Sequence, residues 1–290
     1  MATRRLFLHA FACVFLISLS TASSAVAQIS PRSALADLNA MRASAGMPAV
    51  KKFRRTWNIG CRMHNNYMVK TGEFGHSERP SSAYYSRSGA KAARNSVISQ
   101  PGGLPSQSWG GTIYHRQALL QPRLRSSGYD GSSGFACLQV ISGITNSKRA
   151  RTRRLTLYAW PPNGSTGHAP EFDGNEFPNP FADAPGANQL GTPITVSVNG
   201  PWSKWQLVKS KVSTTSLVAD GGRPIPLSVS DRSAPNAQFL QGGFALLPRQ
   251  ALSPSTWYTV QVRGSVRSHA RAYRFSRSWR FQTGPAVDFG

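Results

Sequence analysis

The composition of this chain changes after Trp160, and its last helical run ends earlier, at Pro122. Before Pro122, apolar side chains recur at helical spacing. After Trp160 they fall in short runs rich in β-branched and aromatic residues, such as "TPITVSV", "FALLP", "TWYTVQVRG" and "SWRFQTG". That division predicts an α+β protein: a helix-bearing first domain, then a small all-β sandwich. Between them "PPNGSTGHAPEFDGNEFPNPFADAPGANQLG" is rich in Pro, Gly and Asn and reads as an extended linker. The expected boundaries are 28–162 for the first domain, 163–190 for the linker and 191–290 for the β domain. Charge changes at the same place. Residues 28–165 carry 20 basic and 4 acidic side chains, and residues 166–290 carry 12 and 7.

Residues 1–27 combine a basic start, the apolar run "LFLHAFACVFLISL" and small residues at Ala25 and Ala27. They read as a secretory signal cleaved after Ala27, with a retained anchor as the alternative. No later stretch is long enough to cross a bilayer, so the mature chain is expected to be secreted. Cys61 and Cys137 then remain as an even pair. In an exported protein the default for such a pair is a disulfide, and two buried free thiols are the rival.

Two helices are clear. In "SPRSALADLNAMRASAG", Ser30 can cap, Pro31 suits the first turn and Gly46 the stop. In "TWNIGCRMHNNYMVKTG", with Thr56 as the expected cap, Trp57, Cys61, His64 and Met68 share one face, which must be buried. A short helix is expected near Ala90–Val97 and another in "IYHRQALLQP". Phe135–Gly143 and Arg154–Trp160 read as the two strands of a hairpin.

Three segments taken in order, "LADLNAMRASAG", "CRMHNNYMVKTGEFGHSE" and "SWGGTIYHRQALLQPRLRSSG", resemble the CAP superfamily in its bacterial secreted form. This is the family of cysteine-rich secretory proteins, antigen 5 and pathogenesis-related 1. The resemblance runs from about Ala34 to Trp160. It implies an α-β-α sandwich with a groove that often holds two histidines and two acids, and in some members a divalent metal. His76 and His115 match the histidines. Arg94, beside Asn95, stands where the first acid is usual, and "WGGTIYH" offers no second one. Glu78 and His64 are the candidates to complete the groove, although a hydrogen-bonded core histidine is the plainer reading of His64. The implied cofactor is a zinc on His76 and His115, weak for want of ligands, and Arg94 would favour an anion. Loosely, the β domain resembles bacterial immunoglobulin-like modules, and His168 and His269 are expected to be exposed.

No Gly-x-Ser-x-Gly elbow and no HExxH occurs. Binding therefore ranks above catalysis, with a hydrolase using His76 and His115 as the alternative. "SKRARTRR" places Lys148, Arg149, Arg151, Arg153 and Arg154 at the expected hairpin tip, and "KKFRR" adds Lys51, Lys52, Arg54 and Arg55. Such clusters suit an anionic cell-wall polymer, a lipid head group or another extracellular polyanion. No nucleic-acid-binding module is recognisable.

Overall fold

The computed structural model describes residues 28–269 and 271–286. The expected leader lies outside them. Helix α1, Pro31–Ser44, begins as anticipated: the Ser30 hydroxyl accepts from the Ser33 N–H, and Pro31 occupies the first turn. Helix α2, Arg55–Thr71, starts two residues earlier than expected. Thr56 lies inside it, and Arg54 is an extended N-cap whose side chain makes no capping bond. The helix stops at Gly72, whose φ of 70° is the left-handed geometry that favours glycine. Helices α3 (Arg87–Asn95), α4 (Pro105–Trp109) and α5 (Tyr114–Leu119) follow.

The strands of the first unit are β1 (Lys52–Phe53), β2 (Ser96–Ser99), β3 (Ser126–Ser127), β4 (Tyr129–Asp130) and β5 (Ala136–Gln139). β5 is central in the order β2-β5-β4, and its alternation makes two cores. Ala136 and Leu138 pack with Leu38 and Met41 of α1. Cys137 points to the other face, with Cys61 and Met68 of α2 and Ala92 of α3. The three layers form an α-β-α sandwich. Cys61 and Cys137 are joined in a disulfide with Cα atoms 5.3 Å apart, which ties α2 to the middle strand.

The second unit contains β6 (Thr156–Trp160), β7 (Glu171–Phe172), β8 (Leu190–Gly191), β9 (Ile194–Asn199), β10 (Val208–Ala219), β11 (Leu227–Ser230), β12 (Phe244–Pro248), β13 (Trp257–Ser268) and β14 (Arg271–Gln282). Two sheets, β10-β13-β14 and β11-β12-β9-β6, face each other. Between them lies a core that includes Val196, Leu217, Phe244, Val260, Trp279 and Phe281. The hairpin expected between Phe135–Gly143 and Trp160 does not form. β5 pairs with β2 and β4, and β6 pairs antiparallel with β9, Trp160 opposite Thr195. The reason is geometric: both edges of β5 are already taken, whereas the edge of β9 is open. The boundary drawn at residue 162 therefore follows a strand of the second sheet. The expected linker is also more structured than its composition suggests, since β7 pairs with β8 within it.

The units are joined by buried side chains on and just after α5. Arg116 Nη2 donates to the Pro193 carbonyl at 2.7 Å and its Nε to Thr195 Oγ1 at 3.2 Å. Gln117 Nε2 donates to the Phe244 carbonyl at 3.0 Å, and its Oε1 accepts from Ser197 Oγ at 2.8 Å. Arg123 reaches Asn199 Oδ1 at 2.9 Å and the Trp202 carbonyl at 2.9 Å. A buried polar group left without its partner costs about 1–3 kcal/mol. Gln117→Ala strands the Phe244 carbonyl and the Ser197 hydroxyl together, so we expect a loss of about 3 kcal/mol, read from the denaturant midpoint. A loss under about 0.5 kcal/mol, the range of an ordinary surface change, would show that the seam does not depend on it.

Candidate functional site

A cleft of about 1670 Å³ opens between the two units. One wall is the Trp109–Arg116 turn with His76, and the opposite wall is the segment Glu171–Phe177. Tight turns shape the first wall: a Cβ at Gly110 would lie 2.3 Å from the Ser106 carbonyl oxygen. The cleft exceeds the roughly 300–1,000 Å³ of small-molecule sites.

His115 and His76 both line it. His115 Nδ1 donates to Glu176 Oε1 at 2.8 Å. The same carboxylate accepts the His115 N–H at 2.8 Å and the Ile113 N–H at 2.7 Å. Glu176 thus caps α5 from 61 residues away and fixes the imidazole at the same time. Its side chain is fully buried, while that of His115 is 16% exposed. His76 Nδ1 donates to the Ala93 carbonyl at 2.9 Å. In both rings Nδ1 is the nitrogen held by a partner inside the fold. His76 is held below the usual histidine range, first by desolvation and then by the charges of His115 and His64, against the Ala93 bond that raises it.

The other groove candidates lie elsewhere. His64 is fully buried, with Nε2 2.8 Å from the Gly75 carbonyl and Nδ1 3.1 Å from Glu78 Oε1. Glu78 also accepts from the Ser86 N–H. This pair is the hydrogen-bonded core histidine of the plainer reading, and it pins the loop that carries His76. Arg94 is exposed, and Asn95 Nδ2 bonds back to the Lys91 carbonyl of its own helix. Neither lines the cleft, because the α3 face that turns inward is made of Ala90, Ala92 and Ala93. The expected anion-favouring groove is therefore corrected. Glu171, Asp173 and Glu176, three of the chain's 11 acids, line the cleft against one cation, Arg116.

Glu176 is the site residue that sequence reading missed. It sits in a segment without periodicity, and its only signal was three acids within six residues of a strongly basic chain. The zinc expectation fares poorly on the donors present. Glu176 is engaged by three N–H groups, and Glu78 by His64 and Ser86 away from the cleft, which leaves two imidazoles. Among the described residues no group of three or more His, Cys, Asp or Glu side chains is arranged to hold a metal. A closed zinc site wants four ligands and a catalytic one three, so the residues do not fit the ion.

His168 is not the isolated, exposed residue expected. It lies edge-on to Trp160 and Phe281, with ring centroids 6.1 and 5.9 Å away, and lines the cleft. Ser165 Oγ is 2.7 Å from its Nε2. That serine donates to the Pro162 carbonyl, so His168 is the donor to the hydroxyl and does not activate it. Desolvation, with Arg116 nearby, lowers its pKa to about 4. A histidine depressed in the folded state contributes stability that is present above its unfolded pKa of about 6.5 and lost as pH falls towards 4. We expect His168→Gln to flatten the acid-side decline of the denaturant midpoint between pH 6.5 and 4. An unchanged slope would contradict the assignment.

Residues 35–134 match the model of the CAP family, the Cysteine-rich secretory protein family. No curated protein matches the chain. The match runs from within α1 through α5, includes both cleft histidines, and stops short of Cys137. Among the described residues no helix is long and apolar enough to cross a membrane. Residues 35–134 are thus similar to the CAP family, the central strand β5 lies just beyond the match, and the acid that holds the second cleft histidine comes from outside the matched segment.

Proposed function

We propose that this chain is a secreted binding protein with two chemically opposite surfaces. The cleft takes an extended, uncharged or cationic ligand. The basic exterior attaches the protein to anionic polymer of the cell envelope. The observation that carries this reading is the partition of charge: three acids and one cation line the cleft, while the lysine and arginine runs lie outside it. Exposed Phe74 and Phe177 at the cleft suit a ligand with apolar faces. The Cys61–Cys137 disulfide suits an oxidising compartment. We expect the full chain to be retained on phosphocellulose at low ionic strength and released as salt rises. Hydrogen exchange over residues 171–177 should be the same in the retained and free chain. Retention indifferent to salt would defeat the electrostatic part, and protection of 171–177 would put the polyanion in the cleft instead.

One observation favours a hydrolase as the second reading. His115 has Nδ1 held by a buried carboxylate and Nε2 free, the arrangement of a general base. On this reading His115→Ala abolishes turnover and leaves the denaturant midpoint within about 1 kcal/mol of wild type. Absence of turnover by the wild type on peptide, lipid ester and glycan substrates removes this reading.

A further inference from the structure

Lys51 and Arg54 of one basic run and Arg149 of the other, far apart in sequence, line one hollow of the first unit. Parallel pairing of β1 with β3 sets the first run beside Arg125. The Lys51 N–H donates to the Arg125 carbonyl at 2.9 Å, and the Arg125 N–H donates to the Gly143 carbonyl at 3.0 Å. The loop that follows carries Arg149 back over the same place. The result is a pocket of about 530 Å³ lined by Lys51, Arg54, Arg125 and Arg149, with hydroxyls from Ser126, Ser142 and Thr145 and no acid.

Among the described residues none of these four cations has a carboxylate within ion-pair distance. Two are held in place by other means. Arg54 lies over the Trp57 ring, 5.0 Å from its centroid. Arg125 Nη1 donates to the Pro122 carbonyl at 2.7 Å and to the Leu124 carbonyl at 3.1 Å. The start of α2 adds to the same field, since it has no side-chain cap and no acid in its first turn.

We propose that this pocket is a binding site for a phosphate-type oxyanion carried on a soluble or wall-bound chain, such as a phosphodiester segment. Fixed guanidinium groups, a mobile ammonium and several hydroxyls are the donors such a group takes. The volume exceeds that of one phosphate, so flanking polyol or sugar also fits. A bilayer is the poorer partner, because the site is concave and its apolar lining is confined to Trp57, Ile144 and Ala150. It therefore offers no apolar projection to insert. This inference rests on the polyanion half of the proposed function and gives it an address.

The test is calorimetric titration of the full chain with sodium tripolyphosphate at low salt. Two double variants remove equal charge from exposed side chains: Lys51→Glu/Arg149→Glu in the pocket, and Arg153→Glu/Arg154→Glu outside it. We expect the first to weaken binding by about tenfold or more, the scale of lost charge-assisted contacts, and the second by less than about threefold. Equal losses would show a general field rather than a site, and would overturn the inference while leaving the polyanion reading standing. Retention on phosphocellulose without tripolyphosphate binding would do the same. Failure of both would remove the reading as well. Tighter binding to vesicles of phosphatidylcholine and phosphatidylglycerol than to tripolyphosphate, with both variants equally affected, would assign the surface to a membrane and overturn the inference.

Discussion

The structure depends on a guanidinium buried without a carboxylate bonded to it. Arg116 is 1% exposed and donates to the Gly110 and Pro193 carbonyls and to Thr195. Desolvation lowers its pKa to about 9, with Glu176 acting in the opposite direction. It therefore stays charged at neutral pH, its charge spread over carbonyl dipoles from both units. Arg123, seven residues later, is also buried and donates to Asn199 Oδ1 and to the Gly200 and Trp202 carbonyls of the second unit, with its pKa lowered to about 10. Taking a charge out of water is tolerable only when its donors are satisfied. Two of the three Arg116 bonds, to Pro193 and Thr195, and all the Arg123 side-chain bonds form only when the second unit lies against the first. The second unit is thus part of the first unit's polar interior, and the seam is a condition of the fold.

From that seam the cleft follows. Docking β9 on α5 brings the chain after β6 back past the start of α5, where Glu176 finds two unpaired N–H groups and an imidazole. The helix is six residues long, its N-cap Ile113 offers no capping side chain, and the nearby Thr112 hydroxyl accepts only the Arg116 N–H. A distant carboxylate supplies the cap, and His115 is oriented as a consequence. Arg116 also lowers the pKa of His168 on the opposite side of the same cleft. One buried charge therefore bears on the docking, on the acid that holds His115 and on the protonation of a second histidine.

Local features were legible in the sequence wherever the chain solves its problem locally. Ser30 with Pro31, Gly72 and the Cys61–His64–Met68 stripe specify α1 and α2 because caps and periodicity act within a few residues. The β runs after Thr192 were readable for the same reason. What could not be read is what depends on the seam. Trp160 looks like the end of a hairpin strand, yet β9 competes for that strand and wins, because β5 has no free edge. Arg94 looks like a groove residue by position in a motif, but the helix turns its alanines inward. His64 and Glu78 look like groove candidates one by one, but the buried stripe of α2 holds His64 inside, where it meets Glu78 instead of the cleft.

The partition of charge has a structural cause. Most acids whose bonds can be traced are spent on neutral donors within the fold. Asp37 binds Ser106; Asp130 binds Asn65 and Ser132; Asp183 binds Tyr114, Ser230 and the Asn236 N–H; Glu176 caps α5. Ion pairs with lysine or arginine are few among the described residues: Arg79–Glu73, Lys211–Asp231 and Arg280–Asp220. Each acid used as an acceptor inside is one withheld from the surface. The cations outside are left unneutralised, and exposed pairs would have added little stability in any case. A chain with 34 basic and 11 acidic side chains can then carry an acid-lined cleft and a cation-lined pocket in one fold, because its acids are fixed by hydrogen bonds before any long-range attraction acts on them.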